Sequence, residues 1–353
     1  MIDRRRRALL VGIAGLPLAG LPGCGNEPRF TEVGFSVFGQ LWTLRFADTP
    51  ADQVTAAVQS AEAIVEPLYR RLHPWRDSEL TRLNHQLAAH GEATASPAIR
   101  ELIQAARPVF EASGGRFDPT IGGLIALWGF HRNGGNVDDA AITPPAEAAL
   151  DDWLDDAPSL DDVRIDGEQV ITANPRVQFD FNALAEGFAA ARVLNAIESL
   201  GVTDCLLDSG GDLYTLGRAG GRDWQLGIRD PRGEGVLGGL ALSGRHALCS
   251  SGDYERRLTY RGERYGHIID PLTARPARHN TGTTVLGRPP TVADGAATAL
   301  MLLSPDEAGD FARQLGLDGT LLVTENGSAW RDAGMQSAMT AAPSGRPIDW
   351  HTL

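Results

Sequence analysis

The stretch PTVADGAATAL, residues 290–300, places an acid and an alcohol inside an otherwise apolar run. Asp294 and Thr298 are four residues apart, so a helix would carry both side chains on one face. Carboxylate and hydroxyl oxygens are ligands of Mg²⁺, together with backbone carbonyls, phosphates and water. The spacing therefore predicts a cation site on a helix, although Thr291 with Asp294 also fits a capping box at the helix start.

Four other stretches place acidic residues beside glycines or at the start of a helix. They are FDPTIGG from Phe117, DFNALAEG from Asp180, DSGGD from Asp208 and GHIIDPLTARP from Gly266. Glycines let backbone N–H groups approach a phosphate closely, and a helix start adds partial positive charge. Together the stretches indicate a pyrophosphate ligand with a hard cation, while each one alone is equally compatible with a turn or a helix cap.

Hydrophobic periodicity places these stretches in a mixed fold. Ala51–Leu72 is the clearest helix, because its apolar residues repeat at intervals of three and four. Further helices are predicted at about 97–112, 184–200, 292–303 and 305–315, with short strands and glycine turns between residues 205 and 270. A strand from Gly34 needs a bulge near Gly39 to bring its apolar residues to one face. Helices and hairpins without regular βαβ alternation predict an α+β fold with largely antiparallel sheet.

Charge limits the classes of partner. The 353-residue chain is 42% hydrophobic, which allows one large domain or two small ones, and its net charge is −13. Residues 1–23 carry four arginines and one aspartate, a net charge of +3, so the rest of the chain carries −16. So acidic a chain argues against nucleic acid as a partner and against electrostatic binding to anionic lipid.

The N-terminus is typical of an exported protein. A basic segment, Arg4–Arg7, precedes an apolar run at 8–21 that is too short for a comfortable membrane span. The tetrapeptide ending in Cys24, Leu-Pro-Gly-Cys, resembles a bacterial lipobox. Residues 1–23 are therefore predicted as a signal peptide, Cys24 as the lipidated residue and residues 24–33 as a tether. An ordinary secretory signal is the alternative, and the paired arginines leave Sec and Tat export both open.

The remaining cysteines, Cys205 and Cys249, lie in apolar, strand-like runs. Two cysteines in an oxidising compartment could pair, and buried free thiols are at least as compatible with these runs. The sequence holds no C-x-x-C motif and no Cys/His cluster, so a structural zinc site is not expected.

Six segments occur in the order and at roughly the spacing found in the ApbE family, which the sequence resembles. They are FDPTIGGLIALWGF (117–130), DFNALAEGFAA (180–190), DSGGDLYTLG (208–217), SSGDYERR (250–257), GHIIDPLTARP (266–276) and TVADGAATAL (291–300). The resemblance covers nearly all of the chain after the predicted signal and implies one domain over residues 34–353. It implies an α+β fold of mostly antiparallel sheets with flanking helices, and an active site in a cleft between two lobes.

The resemblance also implies an activity. Members are FAD:protein FMN transferases, which cleave the FAD pyrophosphate with Mg²⁺, transfer FMN to a Thr or Ser hydroxyl of an acceptor protein and release AMP. The acceptors are subunits of membrane redox complexes or flavin-carrying domains. Such enzymes act in the bacterial periplasm, often on a lipid anchor, and the predicted lipidation of Cys24 agrees with that location.

Roles for individual residues follow from the same resemblance. Asp294, Thr298 and the main-chain carbonyl of Ala183 match the metal ligands of the family. His267 matches the histidine expected to act as general base, a task that imidazole suits near neutral pH. Contacts with FAD or the metal shell are implied for Phe38, Asp118, Pro119, Thr120, Asp180, Glu186 and Ile268.

Two departures and two alternative functions stay open. Some members have a second acid at the position of Ala297, so one Mg²⁺ is favoured here over two. Phe38-Gly39-Gln40 stands where Met-Gly-Thr is usual, which leaves contacts at that point undefined. The same site could serve an Mg²⁺-dependent FAD pyrophosphatase that gives FMN and AMP, or a lipoprotein that stores FAD. The alignment of His267 with Asp294 and Thr298 argues against storage, which needs no base.

Overall fold

The computed structural model describes residues 28–131, 143–253, 257–340 and 347–353. The predicted signal peptide and Cys24 lie outside the described residues. Within the described part of the chain, no helix has both the length and the apolar character needed to cross a membrane.

The helices alternate with short strands along the chain. The helices are α1 Ala51–Leu72, α2 Glu79–His90, α3 Pro97–Ala112, α4 Gly122–Leu127, α5 Glu147–Asp155, α6 Asn182–Ser199, α7 Pro290–Leu300, α8 Pro305–Leu315 and α9 Ala333–Ala338, with a 3₁₀ turn at Leu160–Asp162. The strands are β1 Phe30–Val37, β2 Gln40–Ala47, β3 Glu92–Thr94, β4 Val163–Asp166, β5 Gln169–Thr172, β6 Cys205–Ser209, β7 Leu213–Leu216, β8 Trp224–Arg229, β9 Val236–Leu242, β10 His246–Gly252, β11 Arg257–Tyr260, β12 Glu263–Gly266, β13 Ile269–Asp270, β14 Arg275–Pro276, β15 Asn280–Gly287, β16 Gly319–Thr324, β17 Ala329–Arg331, β18 Met339–Thr340 and β19 Trp350–Thr352.

One large sheet organises the fold. Over the described residues it has nine strands in the order β1-β2-β6-β7-β10-β15-β16-β17-β19. All neighbouring strands are antiparallel except β17 and β19, which run parallel. Two smaller sheets have the orders β18-β9-β8 and β3-β5-β4. This largely antiparallel sheet with flanking helices confirms the predicted α+β class.

Two of the hydrophobic cores contribute residues to one cleft. The larger core packs α1, α3, α6 and α7 against the central sheet. A smaller core gathers apolar residues from α4, α5 and β13, and from Trp128 directly after α4. Phe117 of the larger core and Ile121 of the smaller core both line this cleft.

The N-terminal hairpin corrects two predictions. Strand β1 begins at Phe30, inside the segment predicted as a tether, because the Phe30 ring packs against Trp224 and beneath the guanidinium of Arg45. The predicted bulge at Gly39 is a two-residue turn, in which Phe38 and Gly39 both have positive φ values of 53° and 77°. Residues paired across a hairpin share a face, so this turn alone explains the change of apolar parity between the strands.

Both cysteines of the described chain are buried free thiols. Cys205 lies on β6 and Cys249 on β10, with β7 between these strands in the sheet. The Cys249 thiol lies 3.8 Å from the Tyr214 hydroxyl. Of the two alternatives that the sequence left open, the structure favours unpaired thiols.

Close approach of α6 and α7 depends on glycine. A Cβ atom at Gly187 would lie 2.5 Å from the Pro290 carbonyl oxygen and 2.8 Å from the Asp294 Cβ. A Cβ atom at Gly295 would lie 2.7 Å from the Leu184 Cδ2. The absence of side chains at these positions lets two helix backbones touch, and this contact brings Asp294 to the backbone of α6.

We expect Gly187→Ala to lower the free energy of unfolding by roughly 1–3 kcal/mol, the usual cost of forcing a methyl group into a packed interior. Gly309→Ala is the matched control, because Gly309 lies in the middle of α8 and the nearest atom to an added Cβ, the Leu353 carbonyl carbon, would be 3.5 Å away. That control should gain up to about 1 kcal/mol from helix propensity. Urea unfolding measures both, and equal stability of the two variants would contradict the close contact.

Candidate active site

The predicted site residues converge on a cleft of about 470 Å³. Its walls come from the first turns of α6, the middle of α7, the β6–β7 turn, residues 116–121 before α4, and residues 267–269 between β12 and β13. Most of the predicted residues line it, namely Asp118, Pro119, Asp180, Ala183, Glu186, His267, Ile268, Asp294 and Thr298. Phe38 and Thr120 do not belong to the described lining.

Asp294 is a buried carboxylate that contacts the neighbouring helix. Its Oδ2 accepts a hydrogen bond of 2.8 Å from the Gly187 amide, and its side chain is only 8% exposed. Helix α7 has Pro290 at its first position and no side-chain hydrogen bond at its cap. The capping-box alternative for Thr291 and Asp294 is therefore wrong, because the carboxylate points across to α6.

The electrostatic surroundings of Asp294 are unfavourable to its negative charge. Burial raises the pKa of Asp294 well above its ordinary value, and the nearby charges of Asp212 and Glu186 raise it further. The hydrogen bond from Gly187 acts in the opposite direction. Carboxylates held together in a region of low dielectric repel one another, so a cation bound among them would relieve this repulsion.

Thr298 and Ala183 place two further oxygens at the same cleft. The Thr298 hydroxyl lies one turn after Asp294 and 3.3 Å from the Ser251 hydroxyl. Ala183 lies in the first turn of α6 and also lines the cleft. Carboxylate, hydroxyl and carbonyl oxygens form the donor set that a hard cation prefers.

The cleft is lined by more carboxylates than a single metal site would use as ligands. Within the described chain, no group of three or more His, Cys, Asp or Glu side chains is arranged to hold a metal ion. Six carboxylates nevertheless line the cleft, Asp118, Asp180, Glu186, Asp208, Asp212 and Asp294, against two arginines and one histidine. A cation at Asp294 would therefore rely on hydroxyl, backbone and ligand oxygens, within a strongly negative field.

Asp118 and Thr120 form a buried pair. The Asp118 Oδ1 accepts hydrogen bonds from the Thr120 amide (2.8 Å) and hydroxyl (2.6 Å), and its Oδ2 accepts one of 2.9 Å from the Leu160 amide. Burial raises the pKa of Asp118 to about 6, against the effect of these hydrogen bonds. Thr120 is fully buried, with its hydroxyl donated to Asp118. The Thr120 side chain therefore faces the interior and does not line the cleft, and its predicted ligand contact stays a prediction.

Backbone amides donate hydrogen bonds to Asp180 and to both aspartates of the DSGGD turn, and these bonds fix the acidic side chains at the cleft. The Asp180 Oδ1 accepts a 2.9 Å hydrogen bond from Asn182 at the start of α6, so Asp180 lines the cleft and also supports the helix start. The Asp212 Oδ1 accepts one of 2.8 Å from the Ser250 amide. Asp208 likewise accepts from Gly211 at 2.9 Å. The turn and cap interpretations and the cleft interpretation therefore apply to the same residues.

His267 and Ile268 bring a titratable ring and an apolar surface to the cleft. The His267 ring meets the Phe130 ring edge to face, with centroids 6.5 Å apart. Ile268 is buried and packs with Met301 and Leu302, and its carbonyl accepts the Ala277 amide at 2.8 Å. Apolar side chains of Ile125, Phe130 and Leu302 line the same cleft, which therefore has an apolar part beside its acidic part.

Gln40, two residues after Phe38, lines the cleft, whereas Phe38 does not. The Phe38 ring stacks on Trp42 at 5.9 Å and meets Tyr69 at 5.1 Å, and its predicted ligand contact stays a prediction. Gln40 follows the turn, lines the cleft and donates a 2.6 Å hydrogen bond from its Nε2 to Glu186. A Cβ atom at Gly210 would collide with the Gln40 side chain, so Gln40 covers the β6–β7 turn as well.

Sequence reasoning missed Gln40, Arg116 and Arg229, which all line the cleft. Arg116 is held by ion pairs with Glu307 at 2.9 Å and Asp270 at 3.7 Å. The one available signal was the alternation of β8, in which Arg229 has an exposed position between buried neighbours. The site of Gln40 follows from the turn type, which the apolar pattern alone did not specify.

The chain is similar in fold and in sequence to known proteins. The model of the ApbE family matches residues 38–321. An FAD:protein FMN transferase of Rhodobacter capsulatus is 35% identical over 98% of the chain, which spans 66% of that relative's length. A Haemophilus influenzae protein of the same name is 26% identical, over 91% of this chain and 95% of its own. The crystal structure of Pseudomonas stutzeri flavinyl transferase ApbE in its apo form superimposes with a TM-score of 0.76 and 27% identity, over 90% of this chain and 99% of that one.

These matches agree with the α+β architecture and with the sequence segments that form the cleft. The family match covers the elements from the β1–β2 turn to β16, and so includes every predicted residue that lines the site. The chain belongs to the ApbE family.

The protonation of Asp118 gives a test of its burial. Folding raises its pKa from 3.8 to about 6, so the folded chain binds more protons than the unfolded chain between these values. The contribution of Asp118 to the free energy of unfolding is therefore fully present below about pH 4 and declines as the pH rises to about 6. We expect wild type to lose roughly 3 kcal/mol over this range relative to Asp118→Asn, since one pKa unit corresponds to about 1.4 kcal/mol. Urea unfolding at several pH values measures this difference, and a constant difference would contradict it.

Proposed function

We propose that the protein transfers FMN from FAD to a Thr or Ser hydroxyl of an acceptor protein and releases AMP, with Mg²⁺ as cofactor. The observation that carries the proposal is one cleft lined by Asp294, Thr298, Ala183 and His267. Family membership and the names of the relatives, FAD:protein FMN transferase, support it.

The donor set fits magnesium. Asp294, Thr298 and the Ala183 carbonyl would hold the ion, and the burial of Asp294 close to the charges of Asp212 and Glu186, which raises its pKa, favours a divalent cation at this point. When bound, Mg²⁺ supplies charge neutralisation on the pyrophosphate and on the departing phosphate. The absence of a carboxylate at Ala297, a buried residue, supports one ion rather than two.

His267 provides the proton acceptor for the transfer. The acceptor hydroxyl is a weak nucleophile, and a positioned imidazole would take its proton as the oxygen bonds to the FMN phosphorus. The bond between that phosphorus and the oxygen bridging to the AMP phosphate breaks, and AMP leaves with the bridging oxygen. Water in place of the acceptor hydroxyl would give free FMN and AMP at the same site.

The two parts of the cleft match the two parts of the substrate. The apolar side, with Ile268, Ile125 and Phe130, suits the flavin ring, while the polar side, with Asn182 and the β6–β7 turn, presents backbone and amide groups to the rest of FAD. Pro119 and Asp118 lie on the wall that would touch the ligand, with Asp118 fixed by its hydrogen bonds to the interior.

We place the protein in the bacterial cell envelope, lipid-anchored through Cys24 and facing the periplasm. The basic and apolar segments before Cys24 support an exported lipoprotein. An anchored enzyme would stand beside acceptors that belong to membrane redox complexes or flavin-carrying domains.

Metabolic labelling with a radioactive fatty acid tests the anchor, since Cys24→Ser should abolish both the label and membrane retention.

Asp294→Asn tests the cation site with little disturbance of the fold. The amide oxygen of Asn can still accept the Gly187 hydrogen bond, whereas the charge is lost. We expect transfer of FMN to candidate acceptor domains, release of AMP and the shift of melting temperature on adding MgCl₂ to be abolished together. Asp306→Asn, an exposed residue in the first turn of α8, is the control and should keep all three.

Covalent flavin fluorescence on denaturing gels and AMP by chromatography give the outcome. Labelled acceptor and AMP with wild type, both lost with Asp294→Asn, would establish the transferase. AMP and free FMN without label, with every acceptor tried, would favour the pyrophosphatase. Bound FAD with neither product would indicate a storage protein.

His267→Ala should slow FMN transfer by about 10²–10⁴-fold, the usual contribution of a general base. FAD binding, followed by the change in flavin fluorescence, should change little, because the base acts on the acceptor proton. His90→Ala, at the exposed end of α2, is the matched control. A His267→Ala enzyme with the wild-type rate would assign the proton transfer to another group.

A further inference from the structure

A second and larger groove, of about 930 Å³, lies next to the cleft. Its walls come from α2, α4 and α5, from the turn before α2, and from residues 175–178 that lead to the start of α6. The proposed transfer does not use this groove, since the carboxylates, His267 and the apolar flavin surface all line the cleft.

A thin partition separates the groove from the cleft. Two chain segments pair through backbone hydrogen bonds, from Gly122 to the Gln178 carbonyl (2.8 Å), from Gln178 to the Thr120 carbonyl (3.0 Å) and from Asp180 to the Pro119 carbonyl (2.8 Å). Pro119 and Asp180 line the cleft, whereas Gln178 lines the groove. A molecule seated in the groove therefore lies one chain thickness from the proposed FAD site.

The groove and the cleft also share one lining residue, Trp75. This half-buried side chain is the one residue that lines both spaces in the described chain. Its ring lies 5.6 Å from that of His131. A polymer that occupies the groove could therefore pass Trp75 and present a side chain to the cleft, which a ligand confined to a closed pocket could not do.

The chemistry of the groove suits a polypeptide. Its lining includes Trp75, Leu127, which is 37% exposed, and Trp153. Three arginines line the same groove, and two of them form ion pairs within it, Arg82 with Asp77 at 2.7 Å and Arg176 with Asp152 at 3.2 Å. The third arginine, Arg76, is exposed. Aromatic and aliphatic surface beside an arginine binds a segment with apolar side chains and an acidic group.

We propose that this groove binds the segment of the acceptor protein next to its flavin-accepting Thr or Ser, and so delivers the hydroxyl past Trp75 into the cleft. The inference rests on the proposed function, because a transferase must bind two substrates at once and a pyrophosphatase needs only one. The occupant is a stretch of polypeptide from the acceptor, with apolar side chains toward Trp75 and Leu127 and an acidic one toward Arg76.

Two pairs of neighbouring alanines allow a matched test. Ala88 on α2 and Ala149 on α5 line opposite walls of the groove, while Ala89 and Ala148, each adjacent in sequence, are exposed and lie outside its lining. Ala88→Arg and Ala149→Arg would fill the groove from either side. Ala89→Arg and Ala148→Arg add the same charge and helix-forming residue at the outer surface.

The measurement uses the acceptor domain labelled most rapidly by wild type in the transfer assay. We expect the groove variants to raise the KM for this acceptor about tenfold or more, with kcat at saturating acceptor and the affinity for FAD both unchanged. Direct binding of the acceptor to each variant, by interferometry without FAD, should weaken in parallel. The two control variants should behave as wild type.

Other results overturn the inference in distinct ways. Groove variants with a wild-type KM for the acceptor would remove the groove from acceptor binding and leave the transferase intact. Weaker FAD binding by the same variants would assign the groove to part of FAD. A change in sedimentation with no change in KM would assign it to a second copy of the chain. Wild type that neither binds nor labels any acceptor would overturn the proposed function and the inference with it.

Discussion

The site depends on keeping one carboxylate inside the protein. Burial of an ionised group is costly unless partners compensate it. Asp294 has a backbone amide as a partner, and the acidic side chains nearby add to the cost. The glycine contact between α6 and α7 brings that amide within reach of the Asp294 carboxylate. The packing of these two helices therefore determines the electrostatic surroundings of Asp294 in the cleft. In the proposed function, a cation bound beside Asp294 would offset this negative charge.

The other walls of the cleft are tied to this pair of helices by side chains from distant segments. Gln40 connects the N-terminal hairpin to Glu186 on α6 and covers the turn at Gly210. Arg116 connects the segment before α4 to α8 through Glu307. Each wall of the cleft therefore contacts another wall. The large sheet supports these walls, and the chemical groups lie on turns and helix starts around it. This arrangement is common where a rigid scaffold presents a site.

The sequence predicts the long helices well, because a continuous apolar period needs no tertiary information, and α1 has its predicted bounds. It predicts which segments meet, through the family resemblance, but not which side chain of a segment faces the ligand. Thr120 and Phe38 illustrate this, since Pro119 and Gln40 of the same segments line the cleft and these two residues do not. The C-terminal elements β17, α9, β18 and β19 are too short to produce a period, and their pairing is set by the sheet edge they extend.

Helix α4 contributes residues to the cleft, to the groove and to the smaller core. Ile125 lines the cleft and Leu127 lines the groove, while Leu124 is buried in the smaller core. Substitutions on so short a helix act on both spaces at once, so α4 is a poor place from which to alter the selection of partners alone. The two outer walls of the groove, α2 and α5, carry no residue of the cleft. Retargeting of the enzyme to new proteins, in the laboratory or in evolution, is therefore expected to proceed through these two helices, with the flavin chemistry left unchanged.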